Sequence, residues 1–454
     1  MEDNKSMEVF AKAPIRKAVL QNALPAMAAM LMVLIYNLAD TFFIGQTHDD
    51  LQVAAVSLAT PVFLLFMSVG TVFGIGGTSV ISRALGEGRR DYAKKVCSFC
   101  MWSCVAVGVL MSALFLIFMD QILALIGASA ETWDYAKTYL TIVSCSGPFV
   151  LIANCYSNVI RAEGQSGKAM MGQLLGNLLN VILDPIMILV FGWNIAGAAI
   201  ATVIGNVVSV VFFLIYFLRG KSILSISPGR YRVRGGIARG VITVGLPAAI
   251  NSLLMSISNM LINVFLQAYG DNAVAAMGIT MKANMLVVML QLGLAQGVQP
   301  LVGYCYGANK LDRMRHSIRF SCVCNIVLGT VITVIYFIFT RQVVSVFIDD
   351  PAVIDYGVKM LRALMISGPV IGCMFVLNFS FQGMGKGTQS MILSLSRQGL
   401  IYFPLLIIMN KTVGLDGIIW SQAVADLVCT AMSVVMFLLV VRKLRRQHSQ
   451  KTKA

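Results

Sequence analysis

The stretch "LPAMAAMLMVLIYNLADTFFIGQ", Leu24 to Gln46, returns in the second half of the chain as "LPAAINSLLMSISNMLINVFLQA", Leu246 to Ala268. The two align without a gap and pair Pro25 with Pro247 and Asn37 with Asn259. The correspondence continues outward. "ALGEGRRD" from Ala84 matches "CYGANKLD" from Cys305, and "SGPFV" from Ser146 matches "SGPVI" from Ser367. "IAGAAIATVIGN" from Ile195 matches "LDGIIWSQAVAD" from Leu415. One unit has been used twice.

That unit is built for a bilayer. Of 454 residues, 58% are hydrophobic and 12% charged, and the mean hydropathy is +0.81, beyond what a soluble globular chain carries. About 20 apolar residues span the hydrocarbon core as a helix. Twelve such stretches are predicted, roughly 18–45, 53–81, 96–119, 138–160, 169–192, 195–218, 237–268, 273–303, 317–339, 358–382, 390–410 and 416–441, numbered here helices 1 to 12. The short alternating segments of an outer-membrane barrel are missing. The expected fold is an all-α integral membrane protein. The first apolar run is too long for a signal peptide and no small-residue cleavage site follows, so helix 1 is expected to stay.

The net charge of +15 is sorted by loop. Lys and Arg gather at the N-terminus, after helices 2, 6 and 8, and at the C-terminus, whereas the intervening loops carry acids such as Asp49, Asp50, Asp120, Asp134, Asp271, Asp349, Asp350 and Asp355. By the positive-inside rule both termini are cytoplasmic, in the cell membrane, and the number of spans is even. Basic charge placed this way sets orientation; nucleic-acid binding, which needs a clustered basic face, is not expected.

Six spans per unit is an even number, so the two units share one orientation and are related by an axis along the membrane normal. The expected organisation is an amino-terminal lobe of residues 1–218, a cytoplasmic linker of 219–236 and a carboxy-terminal lobe of 237–454 with a basic tail. Repeats of this kind mark secondary transporters, whose substrate path lies between halves that rock against each other.

Within helix 5, "GNLLNVILDP", Gly176 to Pro185, sets Asn177, Asn180 and Asp184 on one face of an otherwise apolar helix. A mid-membrane charge costs between about 3 and more than 10 kcal/mol, so it is rarely idle. Pro185 removes a donor and frees a carbonyl one turn earlier, near Val181. Helix 1 holds a second carboxylate in "YNLADTFF", with Asn37 and Asp40, and helix 6 holds Thr202. The repeat is an internal control: Asp40 corresponds to Ile262, Asp184 to Phe403, Asn180 to about Gly399 and Thr202 to about Gln422, while Pro185 keeps Pro404. Carboxylates needed only to build the unit would have polar counterparts. Two carboxylates with amide and hydroxyl oxygens suit a hard monovalent cation; the same pair suits a proton, because burial and mutual repulsion disfavour two charges.

The duplicated twelve-helix plan, "NLADTFFIG", "GNLLNVILDP", the "SGP" entries to helices 4 and 10, and "RAEGQSGKA" after helix 4 resemble the multidrug and toxic compound extrusion (MATE) family over about residues 15–440. The closer likeness is to its DinF-like and MepA-like bacterial branch. The resemblance implies two six-helix lobes around a central cleft, and export of organic, often cationic amphiphiles in exchange for Na⁺ or H⁺. It also implies a cation site in the amino-terminal lobe, whose helix 1 aspartate, helix 5 asparagine and aspartate, and helix 6 threonine fall on Asp40, Asn180, Asp184 and Thr202. The acidic helix 7 residue of another branch is missing from "NSLLMSISNMLINVF", so no cation site is expected in the second lobe.

Further candidates for the cleft are Tyr36, Asn37, Asn154, Asn158, Met255, Lys282 and Met289. Asn154 and Asn158 serve equally well as helix-to-helix hydrogen bonds. Lys282 sits too far inside helix 8 to reach the interface easily and is read as functional. Met281, Met285 and Met289 form a stripe that suits either helix packing or varied apolar ligands. Arg397 and Asp426 are read as structural, paired either with each other or with helix ends, and Arg161 and Glu163 as cytoplasmic loop after helix 4. "GQSGKA" from Gly164 has the outline of a P-loop, but Ala162 and Ala169 stand where Gly and Ser or Thr are required. "CSFC", Cys97 to Cys100, has no second ligand pair, and the ten cysteines read as small hydrophobes. The only histidines, His48, His316 and His448, lie in loops or tails. No enzyme is expected, and no cofactor or metal beyond the coupling ion; the expected partners are small amphiphiles and lipid, with the chain as a monomer. Two other readings stay open: a lipid-linked oligosaccharide flippase of the wider superfamily, which would need more Lys or Arg along the cleft, and an uncoupled channel or structural membrane protein.

Overall fold

The computed structural model describes residues 2–47, 49–220 and 222–453; His48 and Lys221 lie outside them. Ten helices are long and apolar enough to cross a membrane, and two bent pairs bring the number to twelve. The uninterrupted spans are helix 1 (Ile15–Gly45), helix 2 (Asp50–Gly86), helix 3 (Arg90–Ile117), helix 6 (Asn194–Leu218), helix 7 (Ile237–Gln267), helix 8 (Asp271–Gly307), helix 9 (Leu311–Ile338) and helix 12 (Leu415–Lys453). Helix 5 (Ser166–Pro185) runs on as a π turn over Ile186–Val190. Helix 11 consists of Gly387–Leu395, a π turn over Ser396–Leu400, and Tyr402–Val413.

Helices 4 and 10, expected as single spans, are each broken. Trp133–Cys145 meets Gly147–Ala162 at 57°, and Pro351–Met365 meets Gly368–Gly383 at 49°. The repeated "SGP" is the cause. Proline cannot donate to the preceding turn, and each serine hydroxyl doubles its own N–H bond to the carbonyl three residues back: Ser146 Oγ to Val143 O at 2.7 Å and Ser367 Oγ to Leu364 O at 3.0 Å. Gly147 fits because any Cβ there would lie 2.4 Å from Ser112 Oγ and 2.5 Å from Phe66. Aspartates start two helices: Asp49 accepts from the Leu51 N–H at 3.0 Å, and Asp350 from the Ala352 N–H at 2.8 Å just before Pro351.

One apolar cluster fills the first lobe and takes in Ile237 and Val241 of helix 7, a second joins Ala18, Val19 and Ala23 of helix 1 to the second lobe, and a third lies within the second lobe. The lobes meet in the halves of their helices nearest the basic loops, where small residues let backbones touch. A Cβ on Gly86 would lie 2.2 Å from Tyr304 O, one on Gly307 2.2 Å from Arg83 O, and one on Gly245 1.9 Å from Val72 O. Ser79 Oγ donates to Gln382 O, and Gln296 Nε2 to Asn158 Oδ1 at 2.6 Å. Toward the acidic loops Gly45 and Gly278 have nothing within 4 Å, and a cleft opens between the lobes.

The short helix Glu2–Ala11 lies across the closed, basic mouth. Phe10 is fully buried and packs on Tyr304 at 5.6 Å. The Arg313 guanidinium donates to the carbonyls of Phe10 (2.8 Å), Val9 (3.2 Å) and Ala13 (2.6 Å). The segment between the lobes is held under the first lobe, with Ser98 Oγ donating to Ser227 O at 2.7 Å and Trp102 Nε1 to Ile226 O at 3.1 Å.

One expectation about the end of helix 4 needs correction. Arg161 belongs to helix 4 and is 1% exposed; it donates to Asn158 Oδ1 at 3.2 Å and to Gln173 Oε1 at 3.0 Å. Glu163 is equally buried and accepts from Tyr216 Oη (2.7 Å), Ser222 Oγ (2.8 Å) and the Ile223 N–H (3.1 Å). Arg161 is not loop, and Glu163 is buried in the turn beside it. Their partners come from helices 4, 5 and 6 and the linker, with Arg161 Nε left unpaired among the described residues, a supply that the local sequence "RAEGQSGKA" does not reveal. The ten cysteines are free thiols.

Candidate functional site

Helices 1, 4, 5 and 6 converge on a polar spot inside the first lobe. Helix 5 presents Asn180 and Asp184, which are 2% and 0% exposed, and helix 6 presents Thr202. Glycines permit this: a Cβ on Gly176 would lie 2.1 Å from Ser209 Oγ, and one on Gly205 2.7 Å from Gly176 O, so helices 5 and 6 touch one turn below the site. The Asn180 amide has two readable orientations, an assignment that hydrogen bonding decides. With nitrogen toward Asp184 it donates to Oδ2 at 3.2 Å and accepts from the Thr202 N–H at 3.0 Å. In the other it donates to Thr202 Oγ1 at 3.3 Å and turns its oxygen to the carboxylate, the arrangement a cation between them would favour.

Helix 1 adds Asp40 and Tyr36. Asp40 is the neighbouring charge that acts on Asp184, and Tyr36 interacts with Asp40, Asp184 and Thr202. Asp40 Oδ1 and Asp184 Oδ1 are buried without a hydrogen-bond partner. Among the described residues neither carboxylate belongs to an ion pair. Buried polar oxygens are nearly always satisfied, so two orphans side by side fit a bound Na⁺ or proton: the donor set is hard oxygen, and the missing partner is positive.

Beneath this cluster lies a cavity of about 80 Å³, lined on its polar side by Tyr36, Asn154, Gln173, Asn177, Asn180, Thr202 and Asn206, and on its apolar side by Val33, Phe63, Met67 and Val150. Asn154 donates to Met67 O at 2.6 Å and Thr71 Oγ1 at 3.0 Å, so it both ties helix 4 to helix 2 and faces the cavity. Asn158 is 3% exposed and serves the seam between the lobes. Asn37, Met255, Lys282 and Met289 do not line this cavity; Met255 and Met289 are half-buried on helices 7 and 8, and Lys282 is exposed on helix 8. Two participants escaped the sequence reading. Tyr139, 7% exposed in the first segment of helix 4, is buried near Asp40, Asp184 and Tyr36, and Gln173 carries the Arg161 contact to the cavity wall. Neither stands out locally, because a tyrosine or glutamine near a helix end is ordinary.

The second lobe differs in one decisive way. Asp426, which the repeat pairs with Asn206, is 4% exposed and has a tethered cation: Arg397 Nε donates to it at 2.8 Å, with Gln422 Nε2 at 2.9 Å and Ser367 Oγ at 3.3 Å. Arg397 also lies over the Phe375 ring at 5.1 Å. The expected pairing of Arg397 with Asp426 is present. Its carboxylate is neutralised from within; those of the first lobe are not.

The family model described as MatE matches residues 25–186 and again residues 247–408, once in each lobe. The chain belongs to the MatE family. Multidrug export protein MepA of Staphylococcus aureus (strain N315) is 34% identical over 439 residues, 96% of each chain. The protein of the same description from Staphylococcus saprophyticus subsp. saprophyticus (strain ATCC 15305 / DSM 20229 / NCIMB 8711 / NCTC 7292 / S-41) is 33% identical over the same length. Among solved structures, an outward-facing multidrug resistance MATE family transporter of the MOP superfamily superposes with a TM-score of 0.92, covering 97% of this chain and 98% of that one at 24% identity. A MOP superfamily transporter from Pyrococcus furiosus Vc1 (DSM3638) also gives 0.92, covering 97% and 99% at 24% identity. These likenesses give the MatE chain its fold, two six-helix repeats around a cleft, and its place as a multi-pass membrane transporter.

Proposed function

We propose that this MatE-family chain is a multidrug efflux antiporter, with its basic side cytoplasmic, that exports amphiphilic organic compounds in exchange for a monovalent cation bound by Asp40, Asn180, Asp184 and Thr202. The observation that carries the cation site is the contrast between lobes. Two buried carboxylates with orphan oxygens lie in the first lobe, and the buried Asp426 of the second is neutralised by Arg397. The export of drugs follows from the likeness to multidrug export protein MepA over 96% of both chains.

Without a cation, Asp40 and Asp184 repel each other in a medium that screens poorly. Na⁺ or H⁺ relieves this, draws helix 1 onto helices 5 and 6, and narrows the cavity that Tyr36 and Asn180 help to line. If cation entry lowers substrate affinity, substrate must lower cation affinity by the same factor, which is antiport. The lobes are closed on the basic side, so this is the state in which substrate leaves and the cation enters. A flippase for phosphate-linked sugars is not favoured, because of the two candidate cleft cations, Lys282 and Arg397, Arg397 is occupied by Asp426.

Dye movement in proteoliposomes under separately imposed Na⁺ and proton gradients tests this reading. One gradient should drive transport, and Asp40→Asn and Asp184→Asn should each abolish it. Transport that persists in both variants would assign the cluster a structural role.

A further inference from the structure

Lys282 is exposed on helix 8 and, among the described residues, belongs to no ion pair. Its direction follows from its neighbours. Met281 packs into the second lobe and Ala283 O accepts from Tyr336 Oη at 2.9 Å, so Lys282 points out of that lobe. Gly293 lies about 20° from it around the helix, and Gln296 about 40°. These two residues meet the first lobe: a Cβ on Gly293 would lie 2.7 Å from Met27 Cα, and Gln296 bonds Asn158. Lys282 therefore stands on the seam stripe of helix 8, above the level at which the seam has parted.

The register gives its depth. Helices 1 and 8 run antiparallel, with Gly297 against Asn22 and Ala23 and Gly293 against Ala26 and Met27. Continued residue for residue, the pairing sets Lys282 level with Asn37 and Leu38, within about 4 Å of rise from Asp40. The half-buried carboxylate of Asp40 on helix 1 and the ammonium of Lys282 on helix 8 thus stand at one depth, with Asp184 enclosed behind Asp40 inside the first lobe.

We infer that Lys282 is a specificity-determining residue that takes the anionic end of zwitterionic amphiphiles, a carboxylate on the substrate, while the cationic end faces Asp40. This rests on the export reading above and narrows its substrate class. A monocation meets attraction from Asp40 and repulsion from Lys282; a zwitterion of the right length meets attraction from both. Lys282 is also exposed here without a partner, so no internal pair has to break before the ligand binds.

The test compares rhodamine 110, a zwitterion, with its methyl ester rhodamine 123, a monocation of nearly the same shape, in wild type, Lys282→Met and Lys282→Arg. Transport into proteoliposomes and dye polarisation in detergent are both measured. The zwitterion-to-ester ratio should fall at least fivefold in Lys282→Met and be kept in Lys282→Arg. A ratio unchanged in Lys282→Met, including one in which both dyes weaken together, overturns the inference. Transport of neither dye by wild type refutes the export reading instead. The ratio of dissociation constants in detergent then decides Lys282 alone, and equal ratios in wild type and Lys282→Met, or no binding of the zwitterion, count against it.

Discussion

Replacing Arg397 with methionine keeps the volume of the stem and removes the charge, leaving Asp426 in a site where its side chain is 6% exposed. Gln422 and Ser367 still donate to it, but both are neutral and neither cancels the charge. Breaking a buried ion pair from one side costs about 3–5 kcal/mol, because the survivor is left uncompensated. Loss of the contact with Phe375 adds up to about 1 kcal/mol. The double variant Arg397→Met, Asp426→Leu removes both charges and should recover most of that loss, since apolar replacement of a buried pair is near neutral. Exposed pairs such as Lys137 with Asp120, whose side chains are 46% and 65% exposed, should give less than about 1 kcal/mol in the same assay. The assay is thermal unfolding in detergent, followed by the monodisperse fraction after heating and read as a double-mutant cycle. The expected order is wild type, then the double variant close behind, then the single variants. Transport by the double variant should keep its dependence on the driving ion. A single Arg397→Met as heat-resistant as wild type would refute the reasoning, as would a double variant no better than the worse single one.

The glycine seam should be intolerant. Gly86→Ala places a methyl 2.2 Å from Tyr304 O, so closure on the basic side is lost and a cysteine at Ser82, buried in the seam, should react faster with a maleimide in a background without native cysteines; unchanged labelling would count against closure there. Arg313→Ala deletes the three hydrogen bonds that hold the carbonyls of Val9, Phe10 and Ala13, and trypsin should cut after Lys12 several times faster, with an unchanged rate the contrary result. Glu163→Ala removes the carboxylate that accepts from Tyr216 Oη, Ser222 Oγ and the Ile223 N–H; at about 1–3 kcal/mol for lost buried hydrogen bonding of this kind, heat resistance should drop clearly while ion selectivity stays, and a shift in selectivity would mean that Glu163 reaches the cation cluster.

Much of the architecture could be read along the chain because it is set by one-dimensional quantities. Span length answers to bilayer thickness, loop charge to orientation, and the gapless match of Leu24–Gln46 with Leu246–Ala268 to duplication. Asp40 and Asp184 were legible for a related reason: a carboxylate is costly in an apolar run wherever the run folds, and the second copy lacks them. Partnership was not legible, because it depends on which helices pack. Only the tertiary structure could separate Asp426, neutralised by Arg397, from Asp184, which keeps an orphan oxygen. Packing also took Arg161 out of the loop, buried Glu163 in the turn beside it, brought Tyr139 near the carboxylates, and bent helices 4 and 10 at "SGP". Sequence determined which residues must find a partner, since desolvation cost is a property of the group; the fold decided which ones did, since a partner is a property of the neighbours.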